Sequence, residues 1–388
     1  MAKSDRACEL IPVVIAGGEP VGLGLAAELG GRGMECMVVE QGDGSFAHPR
    51  ANIVHARTME LCRRWGVADR VRNEGVAEDY PHTVIYVTSL GGWELARHDP
   101  VATDDCIRPI FSPEQQQRCN QMFFDPIMRD LARLIPDVDL RFGHRLESFD
   151  QSGDGVVAHI VKRDSGQSIK VRARYMVDCT GGTSRIRDAL SIGLEGTKVL
   201  GHSINVFFSA PDFRRIHDKG DAGMYMITGP DGIWANIAAI NGDDFWRLTV
   251  QGLTAETDPE TFDVAHYMDR VVGINFDYEI RSVVKWTRRT VVAERFRAGN
   301  VILAGDSAHQ LSPSGAFGMN TGMGDVDNLG WKIAAMLDGW GGDGLLDSYG
   351  PERRPVAVRN VAEAEGAFRG RNFKTDAALL DFTPEGRR

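Results

Sequence analysis

At three places in this 388-residue chain a short apolar run leads into glycines in a way that suits a bound anion. The first is Pro12 to Ala16 (PVVIA), followed by Gly17-Gly18-Glu19-Pro20-Val21-Gly22. Val21, Leu25, Ala26 and Leu29 then recur at helical spacing, and Gly30, Gly31 and Gly33 close the helix. A glycine turn opening a helix offers unpaired backbone N–H groups and the positive end of the helix dipole to a phosphate. A second strand, Cys36 to Val39, ends at Glu40, 18 positions after Gly22. An acidic residue at about that distance is placed to hydrogen-bond a ribose hydroxyl.

The pattern returns twice. Tyr175 to Cys179 runs into Thr180-Gly181-Gly182, and Val301 to Ala304 runs into Gly305-Asp306. The last continues through a loop rich in Ser, Pro and Gly, residues 312 to 318, into a helix with Val326, Leu329, Ile333 and Met336 on one face. Strands that each end in a glycine turn beside a helix are pieces of one parallel sheet with a ligand along its carboxyl edge. Between them, residues 203 to 250 hold short β-rich runs (SINVFF, GMYMI, WANIAAI, WRLTV) broken by Gly, Asp and Pro. These read as an inserted, mostly antiparallel sheet. Its aromatics Phe207, Phe208, Tyr225, Trp234 and Trp246 are expected mostly in its core. The fold class is therefore α/β: a Rossmann-like dinucleotide domain with an inserted β-rich substrate domain.

Bulk properties exclude several classes. A net charge of −10 argues against nucleic acid or an anionic membrane as partner. The six cysteines (Cys8, Cys36, Cys62, Cys106, Cys119, Cys179) form no C-x-x-C pair, so no metal site is expected. The apolar stretch Leu10 to Ala16 lacks a cleavage site, and no run of 18 apolar residues exists. A cytoplasmic protein is the expectation.

From about Pro12 to about Asn360 the chain resembles the FAD-dependent aromatic hydroxylases, the para-hydroxybenzoate hydroxylase and phenol hydroxylase-like monooxygenases. The matches are Gly17, Pro20, Gly22 and Glu40; Arg50-Ala51 and Arg57-Thr58-Met59-Glu60; Gln121 with Asp125; and Thr180-Gly181. They end with Gly305-Asp306-Ser307-Ala308-His309 and Pro313-Ser314-Gly315-Ala316-Phe317-Gly318-Met319-Asn320. The resemblance implies FAD held by Gly17, Gly18, Gly22, Glu40, Arg50, Gln121, Gly181, Gly305 and Asp306, with Asp306 on the ribitol chain. It further implies that the backbone from Gly315 to Asn320, with Gly315, Gly318, Met319 and Asn320 as cofactor-binding residues, faces the flavin's pyrimidine edge and that Pro313 borders the reacting centre. His309 is then a hydrogen-bonded scaffold residue, and no catalytic acid or base stands out. NAD(P)H and O₂ would be co-substrates, and the other partner a small aromatic or polyketide molecule; a homodimer is compatible. The FAD-binding segments are set at 1–81, 107–196 and 289–340, the substrate domain at 82–106 and 197–288, and a C-terminal helical segment at 341–388. Within that segment, residues 375–388 (TDAALLDFTPEGRR) resemble the lead-in to a further domain of larger relatives, so either a naturally short chain or a truncated one is expected.

Two departures fall on the cofactor. Glu19 stands where backbone should approach the pyrophosphate, and two like charges at roughly 4 Å with an effective dielectric of 20 repel by about 4 kcal/mol. Thr180 stands where the family carries Asp. Either FAD binds because Glu19 swings into solvent or pairs with a cation such as Arg50, or its binding is weakened or lost. The first gives a monooxygenase. The second gives a non-redox cyclase, pericyclase or isomerase on the same frame. A non-catalytic scaffold has little support, since folding alone does not ask for the glycines between 305 and 320.

Overall fold

The computed structural model describes residues 8–45, 48–99, 111–152, 155–342 and 344–370. The division set at 106/107 and the run 375–388 lie outside the described residues.

Apolar β-branched runs buried on both faces build the first sheet. Glu9–Ala16 is its centre, pairing in parallel with Cys36–Glu40 on one side and Ser168–Asp178 on the other. Val138–Phe142 and Val301–Leu303 extend it in parallel at the two sides. The strands of the three glycine turns thus share one sheet, and the turns emerge along one edge. Ser168–Asp178 is longer than its apolar end suggests. Its first half alternates buried and exposed residues, because there it also pairs with the antiparallel strand Gly155–Lys162. Val13 and Ile15 pack with Leu25 and Leu29 of the first helix, Pro20–Gly30, and with Val326, Leu329 and Ile333 of the long helix Phe317–Leu337.

The second sheet runs in the spatial order His309–Gln310, Glu279–Ala293, Leu194–Ser209, Phe245–Leu253, Gly232–Ala239, Met224–Gly229, Val84–Val87 and Glu94–His98. Its first strand belongs to the third glycine motif, so the two sheets meet at the candidate site. Alternation divides its faces. Val206, Phe208, Tyr225, Ile237, Trp246, Leu248 and Val250 form a core with the helix Val264–Val272. Phe208, Tyr225 and Trp246 are therefore core residues, and Trp234 packs at the core's margin. Asn205, Phe207, Arg247 and Thr249 lie on the opposite face, towards the dinucleotide unit.

Among the described residues no helix is long and apolar enough to cross a membrane.

Candidate active site

The first turn is fixed by contacts that leave no room for a side chain. Gly17 has φ +107° and its N–H donates to Val39 O at 2.8 Å. A Cβ on Gly22 would lie 1.9 Å from Gly17 O, so the helix starts directly against the turn. Glu40 accepts from the N–H groups of Gly18 (2.8 Å) and Gly42 (2.6 Å). Each carboxylate oxygen keeps a lone pair, so Glu40 can brace the turn and still accept from a ribose hydroxyl.

Glu19 precedes the first helical residue but makes no capping bond. Its carboxylate instead pairs with Arg50, and the two side chains are 46% and 45% exposed. Of the two arrangements open to Glu19, the structure shows the ion pair.

At the second turn a carboxylate lies two residues before Thr180. Asp178 is fully buried; its Oδ1 accepts from Thr180 N (2.9 Å), Thr180 Oγ1 (2.7 Å) and Ser307 Oγ (3.0 Å), and its Oδ2 from Ser184 Oγ. Burial pushes this carboxyl up, against those hydrogen bonds. Ser307 Oγ also accepts from Gly181 N at 3.1 Å, so Asp178 stitches the second turn to the third. Sequence reasoning passed over Asp178 and Ser184 and carried Ser307 only as part of the third motif; the available signal was a carboxylate closing an apolar strand.

The third turn hangs on Asp325, which accepts from Gly305 N (3.0 Å), His309 Nε2 (2.7 Å) and Arg353 Nε (2.8 Å) and is fully buried. Burial alone would raise its carboxyl, but the His309 and Arg353 contacts hold it below the usual carboxylate range. His309 is thus a scaffold residue. Asp306 faces open space while protein surrounds its other sides, and that setting pushes its carboxyl up. A Cβ on Gly318 would lie 4.0 Å from Asp306 Oδ1, which brings the two motif residues together at the cleft.

Gly315 and Ala316 are consecutive left-handed residues, φ +81° and +56°. For alanine that conformation costs on the order of 1–2 kcal/mol. Asn320 holds it: its amide donates to Ala316 O (2.7 Å) and Ile53 O (3.0 Å), and its oxygen accepts from His55 N (2.8 Å) and Thr58 Oγ1 (2.7 Å). His55 Nε2 donates to Gly315 O at 3.1 Å. Pro313 and Gly315 remain exposed at the front of this loop, and Met319 packs behind it.

Gln121 donates to Asp125 Oδ2 at 3.1 Å, while Asp125 Oδ1 is buried without a partner. Burial pushes the Asp125 carboxyl well up. An orphaned buried acceptor, glycines pressed on backbone and an open-facing Asp306 fit a flavin dinucleotide along this edge.

Residues 49–50 carry the cleft across to the second sheet, because Arg247 Nη1 donates to Arg50 O (2.9 Å) and Pro49 O (3.4 Å). Arg247 Nε and His48 Nε2 are buried without partners, and His48 Nδ1 lies 2.9 Å from Ser282 Oγ. Burial first, then Arg247 and Arg50, pushes His48 down to about 4. Burial also lowers His55, His82 and His217. A histidine whose folded value lies below its unfolded value of about 6.5 makes the unfolded chain the better proton acceptor between the two. Stability should therefore fall as pH drops from about 6.5 towards 4. Urea midpoints across that range should show the fall, with a shallower slope for His48→Gln.

Three strand-to-glycine turns along one edge of a parallel sheet, linked through residues 49–50 to a second, largely antiparallel sheet, make a dinucleotide-binding frame. The chain belongs to the FAD binding domain family, whose profile matches residues 10–364. It is 37% identical over 380 residues to a protein described as a polyketide hydroxylase of Streptomyces halstedii, covering 94% of this chain and 66% of that protein. It is 33% identical to a 4-methyl-5-nitrocatechol 5-monooxygenase of a Burkholderia species, covering 91% of this chain and 66% of that one. The rebeccamycin biosynthetic enzyme RebC with reduced flavin superposes with a TM-score of 0.91 at 37% identity, over 99% of this chain and 72% of that one. The chain spans about two thirds of the length of the two curated relatives.

Proposed function

We propose that the chain is an FAD-dependent monooxygenase that hydroxylates a phenolic or polyketide aromatic substrate with NAD(P)H and O₂. The observation that carries this reading is the convergence of Asp306, Gly318 and the Asn320-held loop on one cleft beside the Arg247–His48 face. Bound FAD would supply oxygen activation after reduction by NAD(P)H. The residues do the rest. Gly17, Gly18 and Gly22 admit the diphosphate, Glu40 accepts from ribose, and Asp306 accepts from the ribityl chain. Arg50, Gln121 and Gly181 close the cofactor edge. Free N–H groups at the start of the long helix, near Gly315 to Asn320, stabilise negative charge on the flavin's pyrimidine edge. Pro313 borders the reacting centre. Arg247, on the second sheet, and His48, in the segment between Glu40 and Ile53, each keep an unpaired buried nitrogen that suits an anionic or phenolic oxygen on the substrate.

The segments 1–81, 107–196 and 289–340 form the cofactor half of this scheme, 82–106 and 197–288 the substrate half, and 341–388 its helical extension. Free thiols at the buried Cys36, Cys62, Cys119 and Cys179, together with use of NAD(P)H, fit the cytoplasm.

The test is isotopic. Protein supplied with FAD, NAD(P)H, ¹⁸O₂ and an aromatic polyketide phenol should give a product heavier by one labelled oxygen, with nicotinamide consumed. Product of unchanged mass, formed without oxygen or nicotinamide, would establish the non-redox cyclase or isomerase reading instead.

A further inference from the structure

The pair Glu19–Arg50 has no structural task that the fold requires. Both side chains are about half exposed, Glu19 makes no cap, and the partners are 31 residues apart in the chain. They meet in front of the Gly17–Gly22 turn, at the start of the 11-residue helix whose positive end and free N–H groups suit a diphosphate. Asp125 and Asp306, whose carboxyls burial pushes up, lie within electrostatic reach of both members, with Glu19 adding to that rise and Arg50 opposing it. Glu19 is the carboxylate that holds Arg50 directly.

We propose that Glu19 is a built-in stand-in for the cofactor's diphosphate. It occupies Arg50 in the free protein, and FAD binds by taking Arg50 over, leaving Glu19 beside the incoming phosphates. The flavin is therefore held loosely and exchanges with solution, as a dissociable cofactor. This inference rests on the FAD reading above and deepens it. An anion already seated on Arg50 lowers the gain from a second, and like charge adds to that loss.

The experiment compares wild type with Glu19→Gln and Glu19→Gly, each titrated with FAD by quenching of flavin fluorescence. ADP and riboflavin serve as further probes. Glu19→Gln keeps the size of the side chain and removes its charge, and the exposure of position 19 lets both variants fold. Wild type should lose FAD on a desalting column. Both variants should bind FAD and ADP at least tenfold more tightly, with riboflavin, which has no phosphate, unchanged. Equal FAD affinities across the three proteins would overturn the proposal and leave the cofactor reading standing. So would a riboflavin gain as large as that for FAD, since the effect would then not act on the diphosphate. Failure of all three to bind FAD or ADP would overturn both.

Discussion

Asp325→Ala should destabilise the protein by about 3–5 kcal/mol, the cost of leaving a buried charge without its partner. That is a large share of the roughly 5–15 kcal/mol that holds a folded domain together. Two partners are stranded: His309, fully buried with Nδ1 already unpaired, and the Arg353 guanidinium, which among the described residues keeps its 3.0 Å bond to Thr321 O. The turn at Gly305 loses its tether as well, so Asp306 should lose its setting and FAD affinity should fall with stability. Asp325→Asn retains an acceptor and the shape, and should cost less. The pH dependence separates charge from shape. Because the folded carboxyl is held below its unfolded value, its contribution is present above about pH 3.9 and lost as pH falls through the folded value. Urea midpoints of wild type and Asp325→Asn should converge in acid and diverge towards neutrality. Parallel curves would show that the charge contributes nothing.

What could be read from the residues was what local sterics write into them. The Gly17 turn, the apolar strands and the Gly305 and Gly315 loops are short-range features, each requiring particular residue types at adjacent positions. The helix Pro20–Gly30 was legible from the helical spacing of Val21, Leu25, Ala26 and Leu29 and from the glycines at its end. Relations across distance were not legible. The contact of Asn320 with Ile53, His55 and Thr58 spans more than 260 residues. Asp178 ties Thr180 to Ser307, but inside an apolar run it carries no periodicity that marks it. Arg247 meets the Pro49 and Arg50 carbonyls because strand alternation turns it to that face of the second sheet, and no spacing in the chain encodes that. Glu19 is instructive because its type signals conflict with a diphosphate, while the resolution of that conflict lies 31 residues away.

Gly17→Ala should abolish FAD binding and cost about 3–5 kcal/mol, whereas Gly33→Ala should cost only about 1 kcal/mol and leave FAD affinity unchanged. Both glycines have positive φ, +107° and +73°, so both substitutions carry the conformational penalty of an L residue there. They differ in surroundings. A Cβ at 33 meets nothing within 4 Å, while one at 17 would lie 2.3 Å from Cys179 O and 2.6 Å from its carbonyl carbon. Those are backbone atoms of the neighbouring central strand's end, and no side-chain rotation relieves them. The strands Glu9–Ala16 and Ser168–Asp178 would have to part where the N–H of Cys179 donates to Ala16 O at 2.7 Å. Parting them displaces Thr180 and Gly181, so the first and second turns fail together. Urea unfolding gives the stability difference and flavin titration the binding difference. Equal stability losses for the two variants would mean that backbone conformation alone sets the requirement for glycine at 17, and that the close approach of the two strands does not.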